Sequence, residues 1–174
     1  MIGPTESDSC PECGFSWTMT RADAIHLVAS SLPRLEVAVA GRDAYLPARV
    51  GRWSVVQYLW HTVDVLRYGA ERLWTLDLDP ARGLAAWDEN DIARARNYSA
   101  LSPVVGLRAY ASAVNVWLDA AQAAPSDTRA THPEFGILNA LDVIRRNSHE
   151  VEHHLADILG TIRDQGGSTD KSQG

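Results

Sequence analysis

Lysine is almost missing from this chain: of its 16 basic residues only Lys171 is lysine, which leaves fifteen arginines. Against 22 acidic residues the formal net charge is −6, and no basic cluster exists to track a phosphate backbone. Nucleic acid is therefore not an expected partner. Long apolar runs are missing too. Nothing approaches the roughly 20 residues needed to cross a bilayer, so no membrane span is expected. No basic flank followed by an apolar stretch comes after Met1, so no secretory leader is expected and a cytoplasmic, reducing location is the default. Two cysteines, Cys10 and Cys13, are too few for a disulfide framework. Strand-like alternation and internal repeats are also lacking. So are a Gly-x-Ser-x-Gly elbow, a phosphate-binding glycine loop and a dinucleotide fingerprint, which removes the common nucleophile and nucleotide chemistries.

What is present is an ordinary globular balance, 45% hydrophobic and 22% charged over 174 residues, enough for one domain. Four long helical patterns predict an all-α four-helix bundle. The first starts at Thr20 as N-cap and runs to Gly41, with Pro33 expected to kink or split it. The second spans about Ser54 to Thr75. The third opens at Ser102-Pro103, cap then first-turn proline, and ends near Ala124. The fourth runs from about Phe135 to Arg163. Two connections are long, Arg42 to Trp53 and Leu76 to Leu101, the second with room for a short helix over Asp91 to Asn97. Such lengths suit crossover connections and binding or lid segments better than tight hairpins. The expected organisation is an extended arm over 1–19 carrying a Cys-x2-Cys knuckle, the bundle over 20–164, and a disordered tail over 165–174.

Six histidines are present, and Ser148-His149-Glu150-Val151-Glu152-His153-His154 holds three of them. His149 and His153, four apart on a helix, stack on one face one turn apart, a separation from which two imidazoles can share a metal ion. On a helical wheel with Leu138, Leu141, Leu155, Leu159 and Ile162 as the apolar arc, His149 falls on the buried side, His153 at its rim and His154 toward solvent or another segment. His61 sits at the edge of the second helix's apolar arc. If the two edges meet, His61, His149 and His153 make a three-nitrogen site with open positions, a catalytic type of zinc or nickel centre. The alternative is three unrelated histidines capping a core. Arg145 and Arg146, about one turn before His149, either bind a carboxylate of a cosubstrate or pair with Asp142 and Glu152.

Cys10-Pro11-Glu12-Cys13-Gly14 reads as half of a zinc knuckle. A tetrahedral site needs four ligands, and no second cysteine pair exists. His154, His26 or His132 would supply nitrogen, or Asp157 oxygen, with Cys10, Cys13 and His154 as the expected second zinc site. A redox dithiol and a metal-free half-site are the other readings.

Trp53-Ser54-Val55-Val56-Gln57-Tyr58-Leu59-Trp60-His61-Thr62-Val63-Asp64 and His149-Glu150-Val151-Glu152-His153-His154-Leu155-Ala156-Asp157-Ile158 resemble the DinB/YfiT-like superfamily over roughly residues 20 to 163. The resemblance implies a four-helix bundle with a divalent metal, zinc or nickel, held at one end by a helical histidine and a later His-x3-His, here His61, His149 and His153. It also implies thiol S-transfer from a low-molecular-weight thiol to an electrophilic small molecule. Mycothiol is favoured because the arginine, alanine and valine bias suggests a GC-rich genome. A metal-dependent hydrolase, a thiol-dependent isomerase and a non-catalytic metal-binding protein are the alternatives. The expected partners are a small-molecule substrate and, for an assembly, a second copy of the chain. The cysteine arm departs from the minimal family domain, so the resemblance assigns it no role.

Overall fold

Proline and capping side chains set most of the helix boundaries. In the computed structural model, which describes residues 8–40, 43–46 and 52–167 (161–167 as helix backbone), the first pattern divides into α1, Arg21–Ala29, and α2, Ser31–Val39. The break falls at Ser30, so that Pro33 lies in the first turn of α2, where its missing N–H removes no helical bond. Thr20 caps α1 by accepting from the Asp23 amide. Helix α3, Val55–Leu78, starts after Ser54, whose amide donates to Gln57 Oε1. The short α4, Glu89–Ala95, is capped by Asp88. Helix α5, Pro103–Ala123, has the Ser102 cap and first-turn proline read from the sequence. The last helix, α6, is Ala140–Gly167.

Two expectations give way here. Residues 135–139 are not helix: Gly136–Asn139 (β2) pairs antiparallel with Arg129–His132 (β1), with Ala130 opposite Leu138. Gly136, at φ +73°, turns the hairpin, and Asn139 then caps α6 by exchanging bonds with Asp142. The arm is not extended either. The Cys10 amide donates to the Phe15 carbonyl across a turn closed by Gly14 at φ +76°, and the Cys10 and Phe15 side chains are buried. At the other end α6 continues through 165–167. The expected stop at Gly41, the first seven residues and the tail from 168 lie outside the described residues.

The α1–α2 pair packs against α5 and α6, and α3 packs against α5 and α6 as well. Consecutive helices α2 and α3 are therefore diagonal neighbours, which is why the connection between them is long. The core between them is filled by Val28, Leu59, Leu66, Leu73, Trp117, Tyr110, Ile144 and Ile158. Helices α3 and α6 come close together at Gly69. A Cβ there would lie 2.3 Å from Asn147 Oδ1. Asn147 is fixed by accepting from Trp117 Nε1 at 3.1 Å and donating to the Val65 carbonyl at 3.4 Å. Among the described residues no helix is long and apolar enough to cross a membrane.

Candidate metal centres

From the Gly69–Asn147 contact, about two helical turns in each direction reach His61 on α3 and His154 on α6. His61 is 1% exposed, and neither of its ring nitrogens has a hydrogen-bond partner. Its ring stacks on Trp87 at 5.5 Å, takes the edge of Trp53 at 5.0 Å, and meets His154 nearly perpendicular at 4.6 Å. Glu150, one turn before His154 on the same face, completes the group. The ligand atoms of His61, Glu150 and His154 all lie within 4.8 Å of one another.

The electrostatics of this group are set by burial and by two carboxylates. Desolvation, with the nearby His154, pushes His61 down to about 3, so it stays neutral with one nitrogen lone pair available. Burial also opposes charge on His154, but Asp157 at Nδ1 and Glu150 at Nε2, each 3.1 Å away, outweigh it and raise its pKa. Glu150 is held well below the usual carboxylate range: burial would raise it, and the His149 and His154 contacts more than reverse that. Asp157 on Nδ1 leaves His154 Nε2 as the nitrogen directed at Glu150, an arrangement in which a carboxylate orients a metal-ligating imidazole. Buried polar atoms without partners are unusual. The orphaned nitrogens of His61 and the hard–borderline donor set therefore fit a divalent cation.

A second group lies on the neighbouring stripe of α6. Cys10, Cys13, His149 and His153 bring two sulfurs and two imidazoles within 4.8 Å of one another. His153 Nδ1 is 3.9 Å from Cys10 Sγ, and Trp17 and Phe15 cover the His149 ring at 4.6 and 5.5 Å. Both cysteines are free. Burial would raise Cys10, but the backbone amide of Cys13 and the side chain of His149 bring it down to about 6. Burial, with the Cys10 sulfur beside it, pushes Cys13 up to about 12.

The structure thus regroups the histidines. His61 does not meet His149 and His153; it meets Glu150 and His154. The knuckle cysteines lie beside His149 and His153, not His154. The cause is helical register. The inner face of α6 is Ile144, Ser148, Val151, Leu155 and Ile158, not the arc that included Leu138, which lies in β2. His149 lies about 160° round the helix from Val151, on the outer face, and is covered by the arm rather than by the bundle. Glu150 and His154 flank the inner face on the side of α3. Glu150 was not singled out from the sequence, although its i, i+4 spacing to His154 equals that of the histidine pair. Of the other histidines, His132 stacks on Phe135 at 4.6 Å, within the hairpin.

Arg145 and Arg146 separate in the same way. Arg145 Nε donates to the Met19 carbonyl at 2.7 Å and so ties down the end of the arm. Arg146, on the stripe of Glu150, lies over the Phe135 ring at 3.8 Å. The acids proposed for them are engaged elsewhere: Glu152 takes both terminal nitrogens of Arg34, at 2.8 and 2.7 Å, and Asp142 caps α6. Beyond Trp53 lies a cavity of about 290 Å³ with Gln57, Asn90 and Asn97 among its lining residues. Asp64, three residues after His61, turns away to accept from Tyr98 and Arg96.

The profile of the DinB superfamily matches residues 17–158. The structure is similar to YfiT from Bacillus subtilis, described as a probable metal-dependent hydrolase with an unusual four-helix bundle topology. That similarity has a TM-score of 0.77 at 18% identity and covers 95% of this chain and 94% of that one. It is also similar to TT2238, described as a four-helix bundle protein, with a TM-score of 0.61 at 22% identity over 81% of this chain and 99% of that one. No curated protein sequence matches this chain.

Proposed function

The chain belongs to the DinB superfamily, and from that premise we propose that it is a metal-dependent hydrolase of a small molecule, with His61, Glu150 and His154 holding a divalent cation. The observation that carries this reading is His61, a fully buried imidazole with both nitrogens unpartnered, facing a second imidazole and an ionised carboxylate. An unsatisfied buried polar atom costs about 1–3 kcal/mol, and a cation at one nitrogen removes that cost.

A cation held there supplies Lewis acidity for polarising a carbonyl or acidifying water or a thiol. The chain's own residues do the rest. Glu150 offsets the cation's charge and stays ionised because His149 and His154 flank it. Asp157 accepts from His154 Nδ1 and so directs Nε2 at Glu150, where its lone pair would face the cation. The Trp87 face and the Trp53 edge exclude water from the His61 side. Arg146, one turn before Glu150 on the same stripe, is the arginine available to an anionic group of the substrate.

Two imidazoles and one carboxylate are a donor set of hydrolytic zinc enzymes. The similar fold of YfiT, described as a probable metal-dependent hydrolase, supports the same class. Transfer of a low-molecular-weight thiol such as mycothiol, implied by the sequence resemblance, is the competing reaction, and one experiment separates the two. Stripped protein is reloaded with zinc, nickel or manganese and given activated esters and amides, and separately an electrophile with each cellular thiol. Metal-dependent cleavage is expected, lost in His61→Ala together with one bound metal ion. Conjugation without cleavage would move the reading to thiol transfer. Metal content undiminished by His61→Ala would overturn the site.

A further inference from the structure

We propose that Cys10, Cys13, His149 and His153 form a closed Cys2His2 zinc site that fastens the arm to α6, separate from the His61 centre. Three independent features of the structure converge on it. First, the arm has the backbone of a zinc knuckle. The Gly14 amide donates to the Cys10 carbonyl at 2.8 Å, and the left-handed φ of Gly14 lets the chain turn so that both sulfurs point to one side. Second, α6 presents to those sulfurs two imidazoles one turn apart, so the set is complete at four ligands from two elements. Third, each imidazole has a carboxylate on the nitrogen that a cation would not use. His153 Nδ1 faces Cys10, while its Nε2 lies 3.3 Å from Glu12 Oε2. His149 Nδ1 lies 3.5 Å from Glu150 Oε1, while its Nε2 is buried and has no hydrogen-bond partner. Carboxylates in this outer position are what hold metal-ligating histidines in the required tautomer.

The donor set selects the ion. Two thiolates and two neutral imidazoles suit tetrahedral zinc, whereas calcium, magnesium and manganese prefer oxygen. Four protein ligands leave no open position, so this zinc is structural. Its effect is mechanical: it fixes the ring of His149, whose neighbour Glu150 belongs to the other centre, and it seats Phe15 and Trp17 over the outer face of α6.

The test uses the full chain with zinc exchanged for cobalt(II), whose thiolate-to-metal absorption reports sulfur ligation directly. A thiolate charge-transfer band saturating at one equivalent is expected in the wild-type protein and unchanged in His61→Ala. It should be lost in Cys13→Ser and, should that variant fold poorly, in His153→Ala. In the zinc-loaded protein both thiols should resist a disulfide-exchange reagent and become reactive only after a chelator removes the ion. Protease cleavage within residues 8–18 should accelerate at least tenfold in Cys13→Ser while α-helical content is retained. Absence of the thiolate band, or thiols that react equally fast with and without metal, would overturn the proposal. So would a Cys10–Cys13 disulfide in protein isolated without reductant, because it would make the pair a redox dithiol. The His61→Ala arm keeps the two sites distinct: loss of the His61 centre leaves the thiolate band, and failure of the knuckle leaves the metal bound by His61.

Discussion

Replacing Gly69 by alanine would test whether the α3–α6 contact governs the spacing of the candidate centre. The new Cβ would sit 2.3 Å from Asn147 Oδ1, 2.7 Å from its Cγ and 2.9 Å from its Nδ2. These distances are too short for any small adjustment, so either Asn147 rotates away or the helices separate. Rotation strands the Trp117 indole N–H, which is fully buried and donates to Asn147, at about 1–3 kcal/mol. The overpacking itself adds about 1–3 kcal/mol. Alanine's better helix propensity returns about 1 kcal/mol. The net expectation is destabilisation by about 3 kcal/mol, or roughly 6–12 °C in melting temperature for a chain of this size. Urea unfolding followed by circular dichroism measures it, with Gly160→Ala as control, since a Cβ there meets nothing within 4 Å. If the helices separate instead, affinity of the His61 centre for zinc should fall, because His61 and His154 lie on opposite helices. A Gly69→Ala protein with wild-type stability and wild-type metal affinity would refute the reasoning.

Other consequences follow from single side chains. In metal-free protein, His61→Leu removes two unpartnered polar atoms and should be more stable than metal-free wild type by about 1–3 kcal/mol, while zinc no longer raises its melting temperature; a less stable variant would contradict the orphaned state of His61. Asp157→Asn should weaken metal binding at the same centre about tenfold by isothermal titration, because it loosens the tautomer of His154. Burial pushes Tyr110 up to about 12 against the lowering effect of its Ser31 hydrogen bond. A phenol whose pKa is raised on folding contributes stability that is complete below pH 10 and is lost as the pH rises to 12. That contribution is about 3 kcal/mol. Tyr110→Phe should therefore show a shallower loss of stability between pH 10 and 12 than wild type, measured as urea midpoints across that range.

The helices were legible because their signals are local. Thr20, Ser54 and Ser102 precede apolar periodicity, and Pro103 stands where only a first turn accepts it. The β1–β2 hairpin was not legible, since two four-residue strands carry too little alternation to be distinguished from the start of a long helix. That error carried Leu138 into the apolar arc of α6 and turned the wheel away from Ile144 and Val151. The histidines then followed the wrong face. His149-x3-His153 and Glu150-x3-His154 are the same pattern displaced by one residue, and the displacement is about 100° of rotation. Only what packs on each stripe distinguishes them, and the arm and α3 are both remote in sequence. One signal was available. Two cysteines need two further ligands, and His149 with His153 supplies both, which leaves His61 to a residue on the next stripe.

The contact between arm and last helix has a consequence for how the chain is made. Cys10 and His153 are 143 residues apart, so the knuckle leaves the ribosome long before its imidazole partners exist. At about 5–20 residues per second the interval is roughly 7–29 s. Throughout that time both thiols and the Phe15 and Trp17 rings have no α6 to cover them. The two sulfurs therefore precede the bundle in synthesis, and they gain their cover only once α6 has been made.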